Sequence, residues 1–195
     1  MQRLLCAEGY YKGRLDGING PLTAAAKLEH EQATLNGAIH YGDHSTGNEH
    51  YIRLLLIPAQ ILARQYLSNL DKAGLTGRII SSTRTYAEQD ILWQQGRSLP
   101  GAIVTNAMGG QSMHNFGLAW DVGIFSKGEY VSTGTKYDEA AEAGMIPGLI
   151  WGGNFRKFKD RPHYQVKIDI PVNKIREHFE AGTLEDQLLP CWKYI

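Results

Sequence analysis

The chain has 195 residues, 43% of them hydrophobic, and a formal net charge of +0. That length accommodates one domain of ordinary size plus a small appendage, and the composition supports a packed core without reaching that of a membrane protein. Electroneutrality argues against nucleic-acid binding, which needs a basic surface, and no apolar run approaches the roughly 20 residues of a transmembrane helix.

The amino terminus, Met1 to Glu8, lacks the long apolar region of a signal peptide. Synthesis as a cytoplasmic species is therefore expected, with release by another agent if the substrate lies outside the membrane. Nothing in the sequence requires more than a monomer. Cys6 and Cys191 stand near opposite ends and form no Cys-x-x-Cys pair, so they read as idle thiols rather than zinc ligands. A bridge between them stays open, because sequence gives no distance.

Residues 1–36 form a distinct unit. Leu4, Leu5 and Ala7 suit a short helix that stops before Gly9. Gly13, Gly17, Gly20 and Pro21 then demand tight turns, and Ala24 to Gln32 resumes as helix. The order Gly9-Tyr10-x-x-Gly13-x-x-Asp16-Gly17-x-x-Gly20-Pro21-x-Thr23 resembles the core of the small helical peptidoglycan-binding domain, which implies contact with the cell wall. Residues 37–50 are polar and glycine-rich and read as a solvated linker. His40, His44 and His50 fall there with Asp43 and Glu49, without a periodic scaffold to fix a second metal site.

From 51 the chain reads as a larger domain reaching 195. Tyr51 to Leu70 is apolar enough for a buried helix that Pro58 starts or kinks. Gly77 to Ser81 looks like a short strand, and Tyr86 to Arg97 like a helix ending at Gly96. Further on, Leu118, Trp120, Val122 and Ile124 alternate with Ala119, Asp121 and Gly123, the period of a strand. The bulky set faces a core and Asp121 projects from the other side. Glu129 to Ser132 can pair back on this strand. Lys136 to Ala143 is helical. Asn173 to Ala181 is an amphipathic helix with Ile175 and Phe179 inward, and its His178 reads as a surface residue. The expected class is α+β: a small, largely antiparallel sheet flanked by helices, with a small helical segment before it.

The chemistry gathers around that strand. His114 precedes it in a turn-prone segment, and an imidazole and a carboxylate converging there suit zinc or a similar divalent ion. A third ligand is needed. His163 opens another alternating stretch, with Tyr164, Val166, Ile168 and Ile170 on one side and His163, Gln165 and Lys167 on the other. Three protein ligands leave one position for water, as in catalytic zinc sites. Asp160, in a loop bent by Pro162, supplies a carboxylate that can serve as general base.

Ser112-x-His114-x-x-Gly117-x-Ala119-x-Asp121, followed by Asp160-x-x-His163, resembles the signature of the zinc D-Ala-D-Ala carboxypeptidase and L-alanyl-D-glutamate endopeptidase superfamily of bacterial cell-wall peptidases. The likeness extends to Ser81 to Gln89 and to Trp151-Gly152-Gly153-Asn154-Phe155, which is similar to the Trp-Gly-Gly-Asp-Trp of the endolysin-type branch. Asn154 and Phe155 depart from that branch. The resemblance implies Zn²⁺ on His114, Asp121 and His163, Asp160 as base, and Arg84 steadying the charge that builds on the attacked carbonyl oxygen. Gln89, matching the family's Glu-Gln pair, is implied in substrate contact, and Ser112 and Trp151 line the cleft. The activity implied is hydrolysis of the L-alanyl-D-glutamate bond of peptidoglycan by a phage-type endolysin. Alternatives are a D-Ala-D-Ala carboxypeptidase and a non-catalytic wall-binding protein with structural zinc.

Overall fold

A computed structural model describes residues 1–41, 45–132 and 134–188. Its sheet is organised around one strand, β2. The strands are β1 (Thr76–Ser81), β2 (Ala119–Ser126), β3 (Glu129–Tyr130), β4 (Leu149–Trp151) and β5 (His163–Val166), in the order β1-β2-β5-β4 with β3 folded back on β2. Every pairing is antiparallel. The β2–β3 reversal passes through Lys127 and Gly128, both at positive φ, as a two-residue hairpin requires. Leu118, Trp120, Val122 and Ile124 are buried as their alternation predicts. Slipping β2 by one residue would expose all four and bury Asp121, so the apolar pattern fixes which face carries the carboxylate.

Helices surround the sheet. They are α1 (Gln2–Ala7), α2 (Pro21–Tyr41), α3 (Thr46–Ile52), α4 (Ile57–Lys72), α5 (Tyr86–Gln94), α6 (Gly134–Gly144), α7 (Val172–Ala181) and α8 (Glu185–Leu188). Of these, α3, α4 and α6 pack on its strands. α4 is the central one. Its Tyr66 donates a 2.7 Å hydrogen bond to the hydroxyl of Tyr164 on β5, a polar clasp inside an otherwise apolar layer. The helix expected from Tyr51 to Leu70 is in fact two. Pro58 sits in the first turn of α4, where its missing N–H costs nothing, and the chain before it turns back into α3.

α3 repays that break with two polar anchors. Asn48 accepts from Ile79 N at 2.8 Å and reaches Gly77 O at 3.5 Å, satisfying backbone groups of the edge strand β1. Glu49 grips Arg64 of α4 with both carboxylate oxygens, at 3.0 and 2.8 Å. Arg64 is wholly buried, so the pair stands where loss of either partner strands a charge in the core. α7 places Ile175 and Phe179 inward as expected, ending at Gly182 with φ 74°.

Two expectations near the amino terminus need correction. α2 does not stop near Gln32 but continues to Tyr41, and α3 begins at Thr46, so the linker expected over 37–50 gives way to helix at both ends. The run from Ala24 is rich in good helix formers, and Gly37 costs only about 1 kcal/mol in a helix interior. That glycine also admits its neighbour, because a Cβ there would lie 3.2 Å from the Arg64 guanidinium. Of the groups weighed for a second metal site, Glu49 is committed to Arg64, and Asp43 and His44 lie outside the described residues. Cys191, the possible partner of Cys6, does too.

The amino-terminal segment is fastened to the body. Leu5, Tyr11 and Ala26 form a small core of their own, while Ala7 belongs to the main one. The Gln2 side chain pins the glycine-rich turn, donating to Ile18 O at 2.8 Å and accepting from Gly17 N at 2.9 Å. Glu8 accepts from Ile57 N at the start of α4, and its other oxygen lies 3.1 Å from His30 Nε2 on α2. One carboxylate thus joins three helices. No described helix is long and apolar enough to cross a membrane.

Burial pushes the Glu8 carboxyl above the ordinary glutamate range, against the opposing pull of His30 and the Ile57 amide. The stability tied to Glu8 is therefore complete below the ordinary range and lost as pH rises through the raised value. Glu8→Gln keeps an acceptor for Ile57 N and never ionises. Thermal unfolding between pH 4 and 8 should show the variant matching wild type in acid and exceeding it at neutral pH; a variant weaker than wild type at pH 8 would refute the burial argument.

Candidate metal centre and cleft

His114 is held by its own turn. Ser112 caps the short 3-10 helix Met113–Phe116, and Asn115 returns the favour by accepting from Ser112 N at 3.3 Å. Asn115 also donates to Arg84 O at 3.1 Å, tying the turn to the segment before α5. Gly117 ends the turn at φ 70°, a conformation that favours glycine. The imidazole Nδ1 lies 2.7 Å from Ser82 O. A carbonyl only accepts, so Nδ1 carries the proton and Nε2 presents a lone pair.

His163 arrives from the other side. It pairs directly with Asp121 across β2 and β5, and its Nε2 lies 3.0 Å from Gln165 Oε1, two residues along the same face. Nε2 is then the donor and Nδ1 faces inward. His114 Nε2 and His163 Nδ1 are 3.1 Å apart, and Asp121 Oδ1 is 3.2 and 3.3 Å from them. This buried oxygen has no hydrogen-bond partner among the described residues. Tetrahedral zinc with bonds of about 2.0–2.1 Å places its ligand atoms roughly 3.3 Å apart. The triangle fits that requirement, and the donor set, two imidazoles and a carboxylate, fits zinc chemistry.

The electrostatics agree. Burial would raise Asp121, but His114 and His163 hold it well below the usual carboxylate range. Burial lowers His114 despite the carboxylate. At His163 burial opposes charge and Asp121 outweighs it, so that ring is raised above its ordinary value.

The triangle opens into a cleft of about 850 Å³. Ser112, Asp160 and Arg84 line it, as the sequence implies, together with Asp121 and both histidines. Asp160 is pinned by its backbone, since its N–H donates to Gly152 O at 3.0 Å. Gly152 has no room for a side chain, because a Cβ would fall 2.4 Å from Asp160 O and 2.9 Å from His163 Cβ. Burial raises the Asp160 carboxyl, and the negative charge of Asp121 adds to that. A carboxyl so placed holds a proton more readily than a surface aspartate.

The structure places three residues differently from the sequence reading. Arg84 borders the cleft, but its guanidinium is engaged: it donates to Asp121 Oδ2 at 2.9 Å, to Gln89 Oε1 at 2.9 Å and to Ser81 Oγ at 3.2 Å. Its first effect is to orient Asp121. Gln89, expected at the substrate, is fully buried and lies outside the cleft wall. Trp151 is also absent from that wall; its indole donates to Arg161 O at 2.7 Å and braces the loop carrying Asp160. Phe155, Phe158 and the stretch from Thr105 to Ala107 line the cleft instead. Phe155 was visible inside the Trp-Gly-Gly motif. The 105–107 stretch has no periodicity that would reveal it.

Residues 105–166 match the family model described as D-alanyl-D-alanine carboxypeptidase. The chain is 37% identical over 103 residues to the peptidoglycan L-alanyl-D-glutamate endopeptidase CwlK of Bacillus subtilis, covering 48% of this chain and 62% of that one. It thus spans about three fifths of that relative's length. The crystal structure of the L-Ala D-Glu endopeptidase ChiX of Serratia marcescens superposes with a TM-score of 0.48 and 22% identity, over 66% of this chain and 92% of the other. The stretch from 105 to 166, which holds both histidines, Asp121 and Asp160, is the part of the chain that matches the D-alanyl-D-alanine carboxypeptidase family model.

Proposed function

We propose that this chain is a zinc peptidase that hydrolyses the L-alanyl-D-glutamate bond in the stem peptide of peptidoglycan. The observation that carries the reading is the triangle of His114, Asp121 and His163 atoms at the floor of a cleft, with Asp160 beside it. The name of the B. subtilis relative supports the bond chosen. These three residues would hold the zinc, which when bound supplies Lewis acidity that acidifies water and polarises a carbonyl.

The chain's own groups do the rest. Asp160 accepts the proton of the attacking water and later delivers it to the leaving amine. Its raised affinity for a proton suits this double duty, since the proton must be held between the two steps. Arg84 keeps Asp121 in register and adds positive charge on the cleft side, where charge builds on the carbonyl oxygen; such help is worth on the order of 3 kcal/mol per donor. Ser112 and the aromatic wall of Phe155 and Phe158 bound the space for the peptide. Residues 1–36 would hold the enzyme to the wall, and an endolysin role accords with that arrangement. The whole acts as a monomer.

A second reading has support from the family description: a D-Ala-D-Ala carboxypeptidase with the same groups in the same roles. Mass spectrometry of digested stem peptide separates the two. Cleavage between L-alanine and D-glutamate is expected, abolished by a chelator, whereas loss of a single terminal alanine would establish the carboxypeptidase instead.

Zinc at about a hundred times its dissociation constant should stabilise the folded protein by roughly 2.7 kcal/mol, read as a rise in melting temperature that a chelator reverses. His114→Ala and His163→Ala should abolish that rise; a full shift in either variant would remove that residue from the ligand set.

Asp160→Asn should retain the zinc-dependent shift and lose about 10²–10⁴-fold in turnover. Unchanged hydrolysis would dismiss Asp160 as the base.

A further inference from the structure

Gln89 sits near the start of α5, a helix begun by the reciprocal cap between Thr85 and Glu88. Its side chain is 0% exposed. A buried amide is tolerated when its polar atoms find partners, and a leucine would fill such a helix position without that demand. Here the partners are specific. Oε1 accepts from Arg84 at 2.9 Å, while Nε2 donates to Ala107 O at 2.9 Å and approaches Thr105 Oγ1 at 3.4 Å. Thr105 Oγ1 in turn accepts from Ala107 N at 3.1 Å. The two ends of one amide therefore hold two different things. One is the guanidinium that grips Asp121 Oδ2; the other is a stretch of irregular backbone forming one wall of the cleft.

We propose that Gln89 is a positioning residue that locks the cleft wall at Thr105–Ala107 to Arg84, and through Arg84 to Asp121. The inference rests on the reading of His114, Asp121 and His163 as metal ligands. It assigns to Gln89 no contact with substrate. The partners of a metal-binding carboxylate set its orientation and basicity, and Arg84 is such a partner held in place by Gln89. Pressure on the wall at 105–107 then reaches the ligand through two side chains, so peptide binding and metal binding depend on the same amide.

Two substitutions in the full-length chain divide the lock into halves. Gln89→Leu removes both; Gln89→Glu keeps an acceptor for Arg84 but cannot donate to Ala107 O. Zinc affinity is measured by competition with a chromophoric chelator, and amide hydrogen exchange is followed over 104–108 by mass spectrometry. Gln89→Leu should bind zinc about tenfold more weakly and exchange faster over 104–108. Gln89→Glu should bind zinc close to wild type and still exchange faster there. A purely structural role would lower the melting temperature of the metal-free protein and move neither readout. Wild-type zinc affinity in Gln89→Leu, or wild-type exchange over 104–108 in Gln89→Glu, overturns the proposal. If Gln89→Leu does not fold, the exchange of Gln89→Glu decides alone. Should the wild-type chain take up no zinc, the metal reading fails instead, and the exchange data still judge the tie to the wall.

Discussion

His114 Nε2, His163 Nδ1 and Asp121 Oδ1 each bring a lone pair to within 3.3 Å of the other two. Such an approach is unfavourable unless a cation or a proton stands between them, and it persists only where the surrounding structure over-determines it. Each member is in fact held twice. Asp121 is pinned by strand pairing on both sides and by Arg84. The histidines are pinned by backbone and by acceptors at their outer nitrogens. The sheet order follows from this need: β2 lies between β1, which leads to Ser82 and Arg84, and β5, which carries His163.

Much of this arrangement is legible in the sequence, for a definite reason. A strand with one apolar face announces which of its residues must look the other way, and that places Asp121, His163 and Gln165 without any further information. His114, Asp121 and His163, which the structure brings together, could be singled out because their residue types are chemically restrictive. What escaped the reading is burial of groups that look like surface. Gln89 reads as a substrate contact only through the resemblance, and nothing local tells that Ala107 returns to cover it. Trp151, in the Trp-Gly-Gly motif, reads as a cleft wall, and nothing local tells that its indole turns to Arg161 O. The length of α2 was missed because Gly37 and the following polar residues imitate a linker, while the Arg64 guanidinium that packs against that glycine lies 27 positions away in the chain.

The amino-terminal helices illustrate how a segment can have its own small core and still be part of the larger body. Glu8 supplies an acceptor to the first turn of α4, whose free N–H groups need partners, and that helix packs in the main core with β2. Arg3 donates to Glu180 O at 2.9 Å, fastening the other end to α7. The segment that the sequence likens to a wall-binding module is thus also a brace for the fold.

Gly152 has almost no room to vary. A Cβ added there would meet the carbonyl of Asp160 and the Cβ of His163 at once, so one extra methyl would push both residues aside together. A substitution at Gly152 therefore cannot disturb Asp160 while sparing His163. The two positions share one spatial allowance, and it is the size of a hydrogen atom.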